Sequence, residues 1–146
     1  MKEIASKIRE TVKNTKPELL KISQEDAGKK SSPSSWSKKE ILGHLIDSAS
    51  NNHQRFVRAA QNIAGDFPTY NQNRWVEVQK YNDRNWDDLI ELFSNYNLHL
   101  SHVIDCLPPE ALNNNCNIGK EDHVSLEFVI RDYLRHLEHH IEKILA

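Results

Sequence analysis

Four long segments of this chain carry apolar residues at spacings of three and four, and few helix-breaking residues interrupt them. Only four glycines and five prolines occur among the 146 residues. Apolar residues at that spacing form one face of an amphipathic helix, and no alternation typical of a strand persists in the sequence. The sequence therefore predicts an all-α fold, and four such helices are expected to form a four-helix bundle.

The first helix is predicted to run from Lys2 into the low twenties. Pro17 lies inside it, and proline lacks a backbone N–H and clashes with the preceding turn. We therefore expect a kink or break near residues 14–16. The next segment, residues 24–35, contains Gly28 and a serine-rich stretch, so it is predicted to be a loop.

The second helix has a well-defined start. Ser37 and Glu40 have the spacing of a capping box, in which each side chain bonds the backbone N–H of the other residue. Trp36 and Ile41 flank this cap at the spacing of a hydrophobic staple. The helix is predicted to end near Gly65, before the next proline.

Residues 66–84 are too many for a tight turn between neighbouring antiparallel helices. We expect them to cross the end of the bundle, with a short helix around residues 75–80. The third helix is predicted to begin near Asn85 and to stop before Pro108 and Pro109.

The fourth helix is predicted to begin at a cap formed by Ser125, with Val124 and Val129 spaced as a second staple. It carries a regular apolar row and is expected to continue to the end of the sequence. Residues 1–146 are therefore expected to form a single domain.

The composition argues against several classes of function. Nineteen basic and 21 acidic residues give a net charge of −2, whereas a nucleic-acid binder usually carries a basic face. No segment approaches the ~20 apolar residues of a membrane span, and the first residues lack the apolar core of a signal peptide. Cys106 and Cys116 are expected to be reduced and buried. These features predict a cytoplasmic protein without nucleic-acid or membrane partners.

His136 and His140 are four residues apart, so on a helix their imidazoles lie on one face, one above the other. They continue an apolar row that contains Val129, Tyr133 and Ile144, and both rings are therefore predicted to face the core. Two neutral imidazoles in this arrangement can share one metal ion. The spacing leaves an alternative equally open, in which each ring bonds a carbonyl or carboxylate inside the core.

The other histidines are weaker candidates by spacing alone. Five are expected to be exposed or structural: His53, His99, His102, His123 and His139. The helical angle of His44 places it away from the apolar face of the second helix. Its neighbours at that angle are Asp47, Ser48, Asn51 and Arg55. Periodicity therefore assigns His44 to a boundary, although a polar row between two apolar faces can line a cleft.

Several segments, taken together and in order, resemble the DinB/YfiT-like family. They are Trp36–Ala49 with its Trp-Ser and His-Leu-x-Asp elements, Asn51–Phe56, Tyr70–Val76, Trp86 with Leu89-Ile90, and His136–His140. The resemblance covers the chain from about Pro17 to its end. It implies a bundle whose helices run up, down, down, up, with a long crossover between the second and third helices.

The resemblance also implies a metal site, with one histidine from the second helix and two from the last. By position these are His44, His136 and His140. Three imidazoles leave at least one coordination position open, as in catalytic sites. Zinc or nickel is favoured, and iron or manganese would also fit.

Members of this family include thiol-dependent transferases and metal-dependent hydrolases or isomerases. The resemblance therefore implies a metal-dependent S-transferase or hydrolase that acts on a small electrophilic molecule, with a low-molecular-weight thiol as a candidate partner. It also implies a homodimer. Two alternatives stay open: a non-catalytic metal-binding or stress-response bundle, and a dimeric interaction domain without metal.

Five further residues are candidates for the chemistry. Asp47 follows His44 on the same side of the helix and is predicted to orient a ligand or to act as a base. Tyr133 is predicted to turn its hydroxyl to the site, with a core tyrosine as the equal alternative. Asn51 is predicted to contact substrate. Gln72 and Trp75 on the crossover are predicted to form a pocket wall, or else to pack over the bundle end.

Overall fold

The computed structural model describes residues 1–62, 69–116, 118–119 and 123–146. Its long elements are the helices α1 (Lys2–Leu19), α3 (Lys38–Ala60), α5 (Trp86–Asp105) and α6 (Leu126–Leu145). Between them lie the short helices α2 (Gln24–Gly28) and α4 (Gln72–Gln79) and the 3-10 turns Tyr81–Asp83 and Pro109–Asn113. Strand β1 (Asn115–Cys116) pairs antiparallel with β2 (Val124–Ser125), a small sheet that the sequence did not predict.

The four long helices form the predicted four-helix bundle. The closest packing places both α1 and α3 against α5 and α6, so α1 and α3 lie at opposite corners. The helices run up, down, down, up, as expected. Because α3 and α5 run in the same direction, the chain must return along the bundle between them, and the crossover with α4 makes that return. The interior is one apolar core, whose largest fully buried side chains include Trp86, Phe56 and Phe93.

The predicted break near residues 14–16 is absent, because α1 continues through Pro17 to Leu19. Only Glu18 and Leu19 follow the proline within the helix, and the Leu20 N–H beyond them donates to the Lys16 carbonyl at 3.1 Å. Leu19 is fully buried, and its carbonyl accepts a 3.0 Å hydrogen bond from the Trp86 indole. Packing against α5 therefore holds the last turn, where the lost proline hydrogen bond costs least.

The segment that was predicted to be a loop, residues 24–35, begins with the one-turn helix α2. The Ser23 hydroxyl caps it by accepting a hydrogen bond from the Asp26 N–H at 3.0 Å. Ala27 is fully buried beneath the turn. A cap and one buried apolar residue are thus enough to order a short helix where composition indicated none.

The predicted capping box of the second helix, α3, is confirmed. The Ser37 hydroxyl accepts from the Glu40 N–H at 3.2 Å, and the Glu40 carboxylate accepts from the Ser37 N–H at 2.8 Å. The helix runs to Ala60. Gly65, where the end of this helix was predicted, lies outside the described residues, as do residues 66–68 of the crossover.

The crossover is tied to α3 by close contacts around its 3-10 turn. Tyr81 packs on Gly43 so closely that a Cβ there would lie 2.2 Å from the tyrosine ring. Lys39 is almost completely buried and donates from Nζ to the carbonyl oxygens of Asn82 and Arg84, at 3.2 and 2.6 Å. The helix predicted around residues 75–80 is present as α4 and begins earlier, at Gln72.

The starts of the last two long helices agree with the sequence. Asn85 caps α5 by accepting from the Asp88 N–H, and Ser125 caps α6 by accepting from the Phe128 N–H. Within the described ranges, none of the helices combines the length and apolar character that a bilayer crossing requires.

The two cysteines differ in exposure. Cys116 is buried as expected, but Cys106 is exposed, so the prediction of a buried, inert thiol was wrong for it. Cys106 forms the C-cap of α5, directly after the helix ends at Asp105. The last buried apolar residue of this helix is Ile104. Its Sγ lies 3.7 Å from Nε2 of His102, which is also exposed.

Candidate metal centre

Three histidines from two helices meet inside the bundle. His44 comes from α3, and His136 and His140 come from successive turns of α6. The ring centroid of His44 lies 5.0 Å from that of His136 and 4.9 Å from that of His140, and the two α6 rings are 4.5 Å apart. One nitrogen from each ring lies within 4.8 Å of the other two. The structure therefore brings together the three residues that the family resemblance singled out.

His44 is completely buried, although its helical angle assigns it to a boundary. His44, Asp47 and Ser48 of this polar row are buried, because α6 and the crossover cover them, whereas Asn51 and Arg55 are partly exposed. The ring of Trp36, just before the cap of α3, lies 5.1 Å from the imidazole. The contact between Trp36 and His44 was not predicted from the sequence, in which Trp36 was a staple residue and part of the Trp-Ser element.

All three imidazoles are neutral at pH 7. Burial is the main cause, and together with the nearby His136 it lowers the pKa of His44 to about 4. Burial and the two neighbouring rings lower the pKa of His140 to about 3. Burial also lowers the pKa of His136. Because only a neutral imidazole can donate a lone pair to a metal, the environment keeps the rings in the ligand form.

The geometry fits a shared divalent ion. Nε2 of His44 and Nε2 of His136 are 3.1 Å apart, and two nitrogens bound to one tetrahedral zinc at ~2.0–2.1 Å would be separated by about 3.3 Å. The distance also fits a hydrogen bond in which one ring donates to the other. However, Nδ1 of all three rings is buried without a partner among the described residues. Such unpartnered nitrogens are costly, but an ion bound at Nε2 of His44 and His136 would leave their Nδ1 atoms without a partner as well. The Nδ1 atoms therefore do not separate a metal site from a hydrogen-bonded pair.

Asp47 lies one turn after His44 and is almost completely buried. Its Oδ1 accepts hydrogen bonds from the Tyr81 hydroxyl at 2.6 Å and from the Gln79 amide at 2.7 Å. Its Oδ2 is buried with no partner in the described part of the chain. Burial raises the pKa of this carboxyl, and the two hydrogen bonds only partly oppose that shift. One oxygen therefore ties the crossover to α3, and the other is left for a ligand or a proton.

A cavity of about 240 Å³ reaches the cluster at His136. Its polar wall includes Ser48, Asn52, Arg55, Tyr70 and Gln72. Gln72 is the predicted substrate contact that the structure places in this wall. Ser48 and Arg55 belong to the polar row of α3, so that row does line a cleft. Asn52 and Tyr70 were not singled out by the sequence analysis.

A second cavity, of about 310 Å³, reaches the cluster at His140. Trp36, Asn73 and Lys143 are among the residues that line it. The first cavity contacts the cluster at His136 and the second at His140. Two molecules could therefore approach the three rings from separate openings.

Three other candidate residues, Tyr133, Asn51 and Trp75, do not present a polar group to the first cavity. The Tyr133 ring lines that cavity, but its hydroxyl donates to Oδ1 of the buried Asn97 at 2.5 Å, which fits the alternative of a core tyrosine. The Asn51 amide donates to the Asp47 carbonyl at 2.8 Å. The Trp75 ring lies 4.9 Å from the Tyr70 ring, tilted by 52°, and Trp75 lines a separate surface groove. None of Asp47, Asn51 and Trp75 is among the described residues that line either cavity at the cluster.

The remaining histidines lie outside the cluster. His99, His102, His123 and His139 are exposed and His53 is partly buried. The ring of His139 is 5.4 Å from that of His140 but points out of the bundle. His53 contacts the Tyr96 hydroxyl at 3.3 Å.

Fold and site together define a helical bundle protein with a three-histidine candidate metal centre. The sequence profile of the DinB superfamily matches residues 7–144, and the chain belongs to that superfamily. No curated protein matches the sequence significantly.

Two solved folds are similar to this one. YfiT from Bacillus subtilis, described as a probable metal-dependent hydrolase with an unusual four-helix bundle topology, superposes with a TM-score of 0.84 at 16% identity, over 98% of this chain and 83% of YfiT. The mycothiol-dependent maleylpyruvate isomerase superposes with a TM-score of 0.77 at 14% identity. That match covers 96% of this chain but only 58% of the isomerase. At these identities the likeness concerns the fold.

Proposed function

We propose that this chain is a divalent-metal-dependent enzyme, an S-transferase or hydrolase that acts on a small electrophilic substrate. The observation that carries the proposal is the meeting of three neutral imidazoles, from α3 and α6, where two cavities open. His44, His136 and His140 would hold the ion. Two separate openings suit a reaction with two partners, such as a low-molecular-weight thiol and its electrophile.

The similar folds support this class of reaction. YfiT is described as a probable metal-dependent hydrolase, and the isomerase depends on the thiol mycothiol. Zinc or nickel is the proposed ion, because three imidazoles with an open position suit either. A divalent ion held there would supply Lewis acidity, which lowers the pKa of a water or thiol.

The chain's own residues would bind and orient the reactants. Asp47 would receive a proton at Oδ2, since Tyr81 and Gln79 fix its Oδ1 and burial raises its pKa. Gln72 would contact substrate in the cavity at His136. Catalytic participation of Tyr133 and substrate contacts by Asn51 and Trp75 stay predictions. So do a single domain over residues 1–146 and a homodimer.

Metal content tests the first step of the proposal. Protein purified without a histidine tag, from medium supplemented with zinc and nickel, is expected to hold one divalent ion per chain by elemental analysis. Absence of stoichiometric metal even after reconstitution would contradict the proposal and would favour an interaction domain.

A substrate screen tests the second step. The metal-loaded protein is incubated with small epoxides, halides and esters, with and without cysteine or another small thiol. The Cys106→Ser variant is used, because the exposed thiol of Cys106 would itself consume electrophile. Turnover that requires metal supports an enzyme, and dependence on added thiol separates a transferase from a hydrolase. Stoichiometric metal without turnover of any pair would favour a non-catalytic metal-binding bundle.

A further inference from the structure

The cavity at His136 contains a cation that the proposed chemistry does not use. Arg55, on α3, lines this cavity together with His136. Its side chain is partly buried, and among the described residues it forms no ion pair. A partly buried guanidinium that lines a cavity and has no ion-pair partner is unusual, since buried charges are normally paired.

The acidic residue in the same wall does not neutralise this charge. Asp132 lines the cavity, but its Oδ1 accepts from the Arg135 guanidinium at 2.5 Å. That ion pair lies on the solvent side of α6, where both side chains are substantially exposed. Among the described residues that line the cavity, Arg55 is therefore a charged group without an ion-pair partner, whereas Asp132 has one.

Most donors of Arg55 are available. One of its five N–H groups makes a long contact of 3.4 Å to Oδ1 of Asn52, and this contact is the one hydrogen bond of the guanidinium in the described part of the chain. The Asn52 amide is in turn fixed by the Ser48 carbonyl at 2.9 Å. Burial lowers the pKa of Arg55, but an arginine stays charged throughout the physiological range.

We propose that Arg55 binds a carboxylate of one of the two reactants, so that the site acts on an anionic small molecule. The inference rests on the proposed function for its reaction, but the binding of the anion does not depend on a metal. A guanidinium binds a carboxylate through two parallel hydrogen bonds. The cavity of about 240 Å³ is smaller than the ~300–1,000 Å³ of sites for drug-sized ligands, which suits a compact carboxylic acid. The amide and hydroxyl groups of Gln72, Ser48 and Tyr70 supply further polar contacts.

The test measures binding of small carboxylates and of their uncharged amides. Acetate, succinate and benzoate are compared with acetamide, succinamide and benzamide by NMR titration of the metal-free protein. Metal-free protein excludes an ion as the anion receptor. We expect each carboxylate to bind more tightly than its amide, and Arg55→Gln to raise the carboxylate Kd by roughly 10- to 100-fold while leaving the amide Kd unchanged.

Two further variants guard against a folding defect. Arg55→Lys keeps the charge but loses the paired hydrogen bonds, and it is expected to lie between wild type and Arg55→Gln. Arg131→Gln removes an exposed arginine of α6 that pairs with Glu127, and it is expected to bind like wild type. Equal binding of carboxylate and amide by wild type in every pair tested, with or without a thiol, or an unchanged Kd of every carboxylate in Arg55→Gln, would overturn the inference. Both results are independent of whether the protein binds metal or turns over a substrate.

A second comparison identifies which reactant carries the carboxylate. N-acetylcysteine and its amide are titrated beside the thiol-free pairs. A dependence on Arg55 that appears only with the thiol pair assigns the carboxylate to the thiol, and dependence with the thiol-free acids assigns it to the electrophile. No dependence on Arg55 in either series would overturn the inference.

Discussion

Nε2 of His44 and Nε2 of His136 lie 3.1 Å apart, although 92 positions separate the two residues in the chain. The contact exists because α3 and α6 pack directly against each other. Neither helix can hold the cluster alone, since α6 supplies two rings and α3 supplies one. The candidate centre is thus a product of bundle packing, and its chemistry should respond to changes in either helix.

The two adjacent histidines of α6 give a sharp test of the ligand set. His140→Ala is expected to abolish stoichiometric zinc or nickel binding, because it leaves two imidazoles. His139→Ala, one position away and exposed, is expected to keep it. Elemental analysis and competition with a chromogenic chelator measure the difference. Metal loss in His139→Ala with retention in His140→Ala would show that a different pair of α6 nitrogens binds the ion.

Local sequence signals predicted most of the fold. The caps at Ser37 and Ser125 lie where they were predicted, and α5 begins beside Asn85 as expected, because a helix start depends on only a few neighbouring residues. The break predicted near residues 14–16 is absent, because the path of the chain there does not depend on neighbouring residues alone. That path depends on the packing of Leu19 and Trp86, which lie far apart in sequence.

The site was less accessible to sequence reasoning. Spacing placed the His136 and His140 rings inward, but the burial of His44 depends on which elements cover the polar row of α3. Arg55 was visible as a member of that row, yet its position in a cavity follows from the crossover and α6. Exposure of Cys106 likewise depends on where α5 ends relative to its neighbours.

Metal-free protein should lose stability on mild acidification. The pKa values of His44 and His140 fall from 6.5 to about 4 and about 3 on folding, so between those values the unfolded chain binds more protons. Stability attributable to these rings is therefore complete above about pH 6.5 and falls as pH is lowered toward about 4. The loss of stability belongs to the coupled cluster of rings, since the neighbouring histidines contribute to both shifts.

Thermal unfolding between pH 7 and pH 5, with chelator present, measures this effect. Carboxylates titrate mostly below that window. We expect Tm to fall with pH and the His140→Gln variant to show a shallower fall. An equally steep dependence in the variant would show that His140 does not contribute to it.

The contact between Gly43 and Tyr81 should make Gly43 intolerant of a side chain. A Cβ at Gly43 would lie 2.2 Å from the Tyr81 ring, so Gly43→Ala is expected to displace the crossover and to destabilise the protein by about 1–3 kcal/mol. This cost exceeds the ~1 kcal/mol that alanine gains over glycine in a helix. Gly28→Ala is a matched control, since its nearest neighbour would be 3.7 Å away, and urea unfolding compares the two.

A double-mutant cycle identifies Tyr81 as the partner of that clash. The double variant Gly43→Ala, Tyr81→Ala is expected to lose less free energy of unfolding than the sum of the losses in the two single variants. The reason is that the clash of the methyl group introduced at position 43 with the Tyr81 ring disappears when the ring is removed. Additive costs would mean that Gly43 is constrained by something other than Tyr81.

An exposed and a buried thiol should react differently. A maleimide reagent is expected to modify one cysteine per folded chain, at Cys106, and two after unfolding, because Cys116 is buried. Mass spectrometry before and after guanidinium treatment counts the adducts. Cys106→Ser should remove the fast reaction, and rapid double modification of the native protein would contradict the burial of Cys116.

The Asp47→Asn variant separates a proton-transfer role from a structural one. The amide oxygen of the new side chain can still accept the hydrogen bonds of Tyr81 and Gln79, so the crossover should stay in place. Because burial raises the pKa of this carboxyl, its charge destabilises the fold, and the variant should have an equal or higher Tm.

Turnover, once a substrate is found, should fall by ~100- to 10,000-fold, and the acidic limb of the kcat/KM profile should disappear. Asp87→Asn, at an exposed position of α5, serves as the control, and unchanged turnover in the Asp47 variant would leave this residue with only its role in fixing the crossover.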